Sequence, residues 1–266
     1  MTLSGIITIT TDFGETDPYV AMMKGVILSI NPDARIVDIT HQVPAGSIQE
    51  GASIIKEAYA YFPSGTVHVG VIDPGVGSKR RPIAVMADNH LFVGPDNGLL
   101  WPVMETQEHR DVIHLTEKRY WMRRVSPTFH GRDIFAPVAA HLSLGVNPSL
   151  LGEKIDNPST LASPLPSRNN RDLFGEVIRV DHFGNIITNI TREHLSSFPT
   201  SKGLTIKIGS LVLPRISITY TDVPEGHPVA LIGSSGHLEI AVNMGRATDY
   251  LSKECEIGTK VIVECH

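Results

Sequence analysis

The chain has 266 residues, 41% hydrophobic and 19% charged, a globular composition with room for one large domain or two modest ones. A net charge of −5 excludes recruitment to nucleic acid or to an anionic membrane by bulk electrostatics. No run approaches the roughly 18 apolar residues of a membrane span, the opening Met1–Gly5 lacks a signal peptide's basic region, and Cys255 and Cys265 make neither a disulfide framework nor a zinc knuckle, so the expected location is cytoplasmic.

In chain order, Ile6–Thr11 is a β-branched run that predicts a buried strand, ending at Asp12-Phe13-Gly14. Asp17 stands where it can cap a helix opening at Pro18, whose missing N–H costs nothing there, and Asn31-Pro32 stops that helix. Ile36–Ile39 predicts a second strand. Ser47-Ile48-Gln49-Glu50 has capping-box spacing and opens a helix to about Phe62, closed by Pro63. Val67–Ile72 predicts a third strand, ending at Asp73. This alternation implies an N-terminal α/β domain built on a doubly wound, mostly parallel sheet.

Ile83–Met86 and Leu91–Val93, joined through Asp88-Asn89, read as a hairpin. Asn97–Met104 predicts a short helix, Val112–Leu115 a strand, and Arg132–Leu144 a helix ended by Gly145. From Asn157 to Arg171 the chain turns to Pro, Ser and Asn, a linker composition. Short β-rich runs follow: Gly175–Val180, Ile186–Ile190, Leu204–Ile208, Leu211–Leu213, Ile216–Tyr220, Val229–Ile232, Leu238–Ala241 and Lys260–Val263. They imply a smaller all-β, barrel-like C-terminal domain. The expected division is 1–160, a linker over 161–172, and 173–266.

In open α/β sheets ligands gather at the carboxyl ends of strands, where Asp12 and Asp73 fall. Thr128-Phe129-His130-Gly131-Arg132-Asp133 crowds functional side chains just before a helix, although Asp133 can also serve as a simple helix-dipole partner. Asp181-His182-Phe183-Gly184-Asn185 and Gly233-Ser234-Ser235-Gly236-His237, the latter followed by Glu239 and Asn243, are polar turns in the β-rich half. Asp73-Pro-Gly-Val-Gly-Ser-Lys-Arg-Arg is no phosphate loop, because Pro74 removes a donor and the Gly-Lys-Ser/Thr ending is missing. Neither a dinucleotide fingerprint nor a Gly-x-Ser-x-Gly elbow occurs. Asp12, Asp17, Asp73, His130, Asp133, Asp181 and His182 keep a metal-dependent phosphoesterase open as a rival, without His-x-x-x-His or Cys-x-x-Cys spacing to support it.

Taken in order, Thr11–Gly14, Asp73–Gly77, Pro95–Gly98, Thr128–Asp133, Asp181–Asn185 and Gly233–Asn243 closely resemble the S-adenosylmethionine (SAM) hydroxide adenosyltransferases, the SAM hydrolase family related to the fluorinating and chlorinating enzymes. The resemblance implies hydrolysis of SAM to adenosine and methionine. It also implies a homotrimer with sites between the N-domain of one subunit and the C-domain of the next, with no cofactor and no metal. Carried over, Asp12 holds the ribose hydroxyls, and Tyr19, Thr128 and Phe129 line the ribose and methionine side. Asp181 and Ser234 take the methionine amino and carboxylate groups. Phe183 and Asn185 shape the adenine side, and backbone at Asn243 and Met244 reads the base edge. The family's Asp, Arg and His fall on Asp73, Arg80 and His130, with Arg81 adjacent to the arginine. Two tryptophans of the fluorinating relatives match Gly46, or a neighbour, and Ile187 here.

The sulfonium of SAM is already a good leaving group, so the task is to present a nucleophile in line with C5′. The implied set suits water, because Arg80 stays cationic while Asp73 and His130 orient it and take its proton. A halide, the rival nucleophile on this scaffold, is repelled by Asp73. A non-catalytic sensor of SAM or adenosine needs Asp12, Asp181 and Ser234 but has no use for the other three. These rivals differ in what incubation with SAM, halide or chelator would show.

Overall fold

The computed structural model describes residues 2–105, 107, 110–162, 164–169, 172–196 and 203–266. The chain divides into two compact units, Met1–Leu161 and Ala162–His266. Ser163, Asn170 and Arg171 of the expected linker lie outside the described residues. Among the described residues no helix is long and apolar enough to cross a membrane.

In the first unit, strands β1 (Ile6–Thr11), β2 (Arg35–Thr40), β3 (Val67–Val71), β4 (Pro82–Ala87), β5 (His90–Pro95), β6 (Asp111–Leu115) and β7 (Gly152–Lys154) form one sheet ordered β2-β1-β3-β5-β4-β6-β7. The pairings β2–β1, β1–β3 and β3–β5 are parallel, and those among β5, β4, β6 and β7 are antiparallel. The sheet is therefore mixed, and its parallel character is confined to the half that carries β1 and β3. Asp88 and Asn89 both have positive φ, 49° and 60°, the left-handed pair that closes a tight hairpin with the strands' own twist.

Helices cover both faces. α1 (Tyr19–Ile30) and α4 (Ala136–Ser143) bury Met23, Ile27 and Val138 against Ile7, Ile9, Val67 and Val69. On the other face α2 (Ile48–Ala58) and α3 (Trp101–Met104) bury Ala52, Ile55 and Val103 against Ile72, Val85 and Phe92. Two expected caps do not form. α1 follows Pro18 directly, and neither Pro18 nor Ser47, which precedes α2, makes a side-chain capping bond. The apolar faces of these helices, rather than their caps, fix where they begin. The helix expected from Arg132 opens instead as a π-turn, Gly131–Phe135, that runs into α4. Register places Thr11 of β1 beside Val71 of β3, so Asp12 and Asp73 emerge at the same edge of adjacent strands.

In the second unit, β9 (Asp172–Val180), β10 (Ile186–Thr191), β11 (Leu204–Ile208), β12 (Leu211–Leu213), β13 (Pro228–Ile232), β14 (His237–Val242) and β15 (Lys260–Cys265) form an antiparallel, barrel-like sheet ordered β12-β11-β15-β9-β10-β14-β13. The short helices α5 (Arg192–Ser196) and α6 (Ala247–Leu251) contribute Leu195, Ala247 and Leu251 to its core. Two sequence expectations fail here. Ser167–Arg168, inside the expected linker, is a strand (β8) paired with β9. Ile216–Tyr220 is not a strand. It pairs with β13 through a bridge at Ser217, whose N–H donates to the Ala230 carbonyl at 2.7 Å. Beyond that Asp222 accepts the N–H groups of Ile218 (2.8 Å) and Thr219 (3.3 Å), so a local side-chain acceptor ends the pairing, and the segment turns into a short 3₁₀ helix, Tyr220–Asp222.

Under α2's side of the first sheet lies a buried polar row. Thr8 Oγ1 bonds His68 Nδ1 at 2.8 Å, and His68 Nε2 bonds His90 Nδ1 at 3.1 Å. Burial, then the neighbouring His90, pushes the His68 pKa down to about 3 from 6.5. The unfolded chain thus takes up this proton near pH 6.5 while the folded chain resists to about 3, so stability is full above 6.5 and falls as pH drops through that window. Urea unfolding at pH 7.5 and at 5.0 should show a loss approaching about 1.4 kcal/mol per pH unit below the upper value, and His68→Gln should flatten that slope.

Candidate active site

Because β1 and β3 end together, their following loops face one cavity of about 320 Å³, lined by Asp12, Phe13, Gly46, Asp73, Val76, Thr128, Phe129 and His130 among others. The size suits a small organic ligand. The loop after β3 turns sharply, with the Val76 N–H donating to the Asp73 carbonyl at 3.1 Å. Gly77 (φ 76°) is required there: a Cβ would stand 2.3 Å from the Pro127 carbonyl oxygen, so this loop packs directly against the segment leading to His130.

The turn brings Arg80 back onto Asp73. Arg80 Nε donates to Asp73 Oδ1 at 3.0 Å, and Nη2 bonds Oδ2, a bidentate fork whose side chains are 8% and 5% exposed. Arg80 Nη2 also donates to His130 Nδ1 at 2.6 Å, and its guanidinium lies over the buried Phe135 ring. The neighbouring arginine goes elsewhere: Arg81 donates to Asp96 Oδ2 at 2.7 Å and to Asn157. Of the adjacent pair, Arg80 is the one gathered with Asp73 and His130.

An arginine has donors only, so the His130 Nδ1 it meets must be the lone-pair nitrogen, and the neutral ring carries its proton on Nε2. Burial, then Arg80, holds the His130 pKa below its ordinary value against the opposing pull of Asp73 and Asp133. In this arrangement His130 offers a donor to a ligand, and the second lone pairs of Asp73 are the available proton acceptors. Arg80 Nη1 is a buried donor with no hydrogen-bond partner among the described residues. Among the described residues, no three His, Cys, Asp or Glu side chains are grouped so as to hold a metal ion.

Asp12 sits at the cavity with Oδ2 accepting the Gly46 N–H at 2.8 Å. Phe13, Tyr19 and Phe129 stack edge to face in a mutual trio, with centroids 5.4–6.0 Å apart. Thr128 is exposed at the cavity, bonded to Ser126 Oγ at 3.1 Å. Asp133 is buried and takes both the Arg132 fork and the Ser126 N–H, tying down the loop that bears Thr128 and Phe129. Arg132 in turn lies over the Phe129 ring.

The residues expected from the second unit form their own grouping. Asp181 accepts the backbone (2.8 Å) and side-chain (3.0 Å) N–H groups of Asn185, and Phe183 projects between them, 69% exposed. Thr248 N donates to the Gly184 carbonyl, and Arg246 Nη1 to that of His182, which joins this turn to the Asn243–Met244 loop. Met244 has φ 54° and is 82% exposed, and Asn243 is anchored on the Val223 carbonyl. Ser234 lies apart from Asn243, in the exposed turn at the opposite end of β14. Ile187, one of the two tryptophan-matched positions, is buried in β10. Sequence reasoning missed Tyr220, whose hydroxyl donates to the buried Glu239 at 2.6 Å, because the two are brought together only by the turn that Asp222 builds. It also passed over His41, whose only signal was a histidine directly after a strand.

Residues 7–152 match the family model of the SAM hydroxide adenosyltransferase N-terminal domain, and residues 175–261 that of its C-terminal domain. An (R)-S-adenosyl-L-methionine hydrolase of Salinispora arenicola is 41% identical, covering 92% of this chain and 93% of its own. A fluorinase of Actinopolyspora mzabensis is 30% identical, covering 90% of each chain. The solved structure of a conserved protein from Thermotoga maritima superposes with a TM-score of 0.89 at 35% identity, over 98% of this chain and all of its own. With both family domains matched in order over most of its length, the chain belongs to the SAM hydroxide adenosyltransferase family.

Proposed function

We propose that the protein hydrolyses (R)-S-adenosyl-L-methionine, the sulfonium epimer named in its hydrolase relatives, to adenosine and L-methionine. The observation that carries this reading is the Asp73–Arg80–His130 chain at the wall of a cavity that also holds Asp12. A water bound between Arg80 Nη1 and His130 Nε2–H satisfies a buried cationic donor, whose unpartnered burial costs on the order of 1–3 kcal/mol. Its oxygen attacks C5′ as the C5′–S bond breaks. The departing electron pair neutralises the sulfonium to the thioether of methionine, and the water's proton passes to Asp73. The electrophile carries its own positive charge, so no metal is needed to polarise it, and rate comes from positioning and fixed charges.

Asp12 fits the ribose hydroxyls, because one carboxylate oxygen is fixed by Gly46 and the other is left for the ligand. The Phe13–Tyr19–Phe129 trio and Thr128 fit the apolar body of the sulfonium side. Asp181 and Ser234 are assigned to the methionine amino and carboxylate groups, Phe183 and Asn185 to the adenine side, and Asn243 and Met244 to the base edge. The exposure of Phe183 and Met244 supports a homotrimer in which a neighbouring copy covers them and each site is shared between an N-terminal and a C-terminal unit. Cys255 and Cys265 form no disulfide, which fits a reducing cytoplasm. Halide chemistry is disfavoured because Asp73 already neutralises Arg80, leaving no net positive pocket for an anion.

Incubation with each sulfonium epimer, with chelator and without added halide, should release equimolar adenosine and methionine from the R form. Unchanged substrate in that assay would sink the hydrolase reading. His130→Ala and Asp73→Asn should each lower kcat by about 10²–10⁴ while moving KM little. Equal loss of binding would instead make these residues supports of the fold. Since burial, and then Arg80, hold His130 below the ordinary 6.5, kcat should persist as pH falls through that value and fail only below it, which a pH–rate profile will read directly.

A further inference from the structure

The Asp12 loop has a support that the proposed chemistry does not use. Segment 41–46, following β2, holds Thr11–Gly14 at three points. His41 Nδ1 bonds Thr11 Oγ1 at 2.9 Å, the His41 carbonyl accepts the Gly14 N–H at 2.8 Å, and the Gly46 N–H donates to Asp12 Oδ2 at 2.8 Å. Thr11 Oγ1 also accepts the Phe13 N–H at 3.3 Å, so the hydroxyl touching His41 fixes the residue just after Asp12.

His41 is only 5% exposed, and its far nitrogen faces a carboxylate. Nε2 stands 3.1 Å from Asp38 Oδ1, off the line of a good hydrogen bond and with no other partner among the described residues. Asp38 Oδ2 is held in turn by Lys24 Nζ at 2.5 Å, on α1. A tautomer with the ring proton on Nε2, toward the Asp38 carboxylate, leaves Nδ1 to accept from the Thr11 hydroxyl, which itself accepts from Phe13. Every group in the chain Lys24–Asp38–His41–Thr11–Phe13 then has one consistent role.

We propose that His41, oriented by Asp38 and Lys24, is a positioning residue that fixes the Asp12 carboxylate for the ribose of the ligand. The inference rests on the reading of Asp12 as the ribose-binding residue. Among the described residues Asp12 itself has one protein hydrogen bond, to a backbone N–H, and it sits between Thr11 and Phe13, both held in place by this network. A carboxylate presented to two vicinal hydroxyls must be held to within a fraction of an ångström. His41 is not among the residues that line the cavity, so it acts through Asp12 and not on the reacting atoms.

The test is a double-mutant cycle on the full-length protein, reading adenosine affinity by calorimetry, KM and kcat by turnover, and Tm as a control. His41→Ala should weaken adenosine binding and raise KM about tenfold with kcat changed by less than about threefold, and in an Asp12→Ala background it should add almost nothing. Thr11→Val, which removes the same bond from the other side at constant volume, should reproduce the effect if His41→Ala folds poorly. Additive losses in the Asp12→Ala background, or unchanged adenosine affinity in both variants, overturn the inference while leaving hydrolysis intact. Failure of the wild-type protein to bind adenosine overturns the ribose assignment and this inference with it.

Discussion

A guanidinium and a carboxylate buried together are tolerated only when nearly every donor and acceptor is matched, and the Asp73–Arg80 pair sets that condition for the loops around it. The fork consumes two donors of Arg80, and a further bond from Nη2 reaches His130. To meet this demand the chain after β3 must double back within seven residues, and Gly77 must lie flat against Pro127. The segment carrying Thr128, Phe129 and His130 is therefore positioned by an electrostatic requirement that begins at a strand end.

That arrangement also decides the character of the cavity. The carboxylate cancels the arginine's charge, and His130, neutral through burial and its cationic neighbour, adds none. What remains is a directional set of donors and one acceptor, suited to holding a water molecule and receiving its proton rather than to trapping an anion. A fluorinase is 30% identical to this chain, and a shared fold does not by itself fix the reaction, which depends on the residues of the site.

Rigidity is supplied from behind the cavity lining. The Arg132–Asp133 pair ties the Ser126–Phe129 loop from below and presses a guanidinium onto one aromatic ring of the cavity wall. The network running from Lys24 to Thr11 does the same for the Asp12 loop. The π-turn at Gly131–Phe135 lies between these supports and carries Asp133 inward. Such turns interrupt a helix at some cost and are found mostly where a side chain has to be aimed. The site is thus assembled from loops on strand ends, each fixed by a buried charge or an imidazole.

Several features are legible in the sequence because they depend on neighbours in the chain. The β-branched run Ile6–Thr11 makes a strand in any context that buries it, Asp88-Asn89 closes its hairpin through left-handed backbone, and strand ends mark Asp12 and Asp73 as site candidates. The ordered motifs carry the family. Other features belong to the tertiary structure alone. Arg80 and Arg81 are indistinguishable by local pattern, and only the turn at Gly75–Ser78 sends one to Asp73 and the other to Asp96. Ile216–Tyr220 has the composition of a strand, yet Asp222 takes the N–H groups of Ile218 and Thr219. Asp17 and Ser47 look like caps, but helix ends are set by which apolar faces find the sheet. His68 meets His90, and His41 meets Thr11, across separations that no local periodicity records. Short-range sterics and turn chemistry write themselves into sequence, whereas the pairing of buried polar groups is decided only when distant strands have fixed their register.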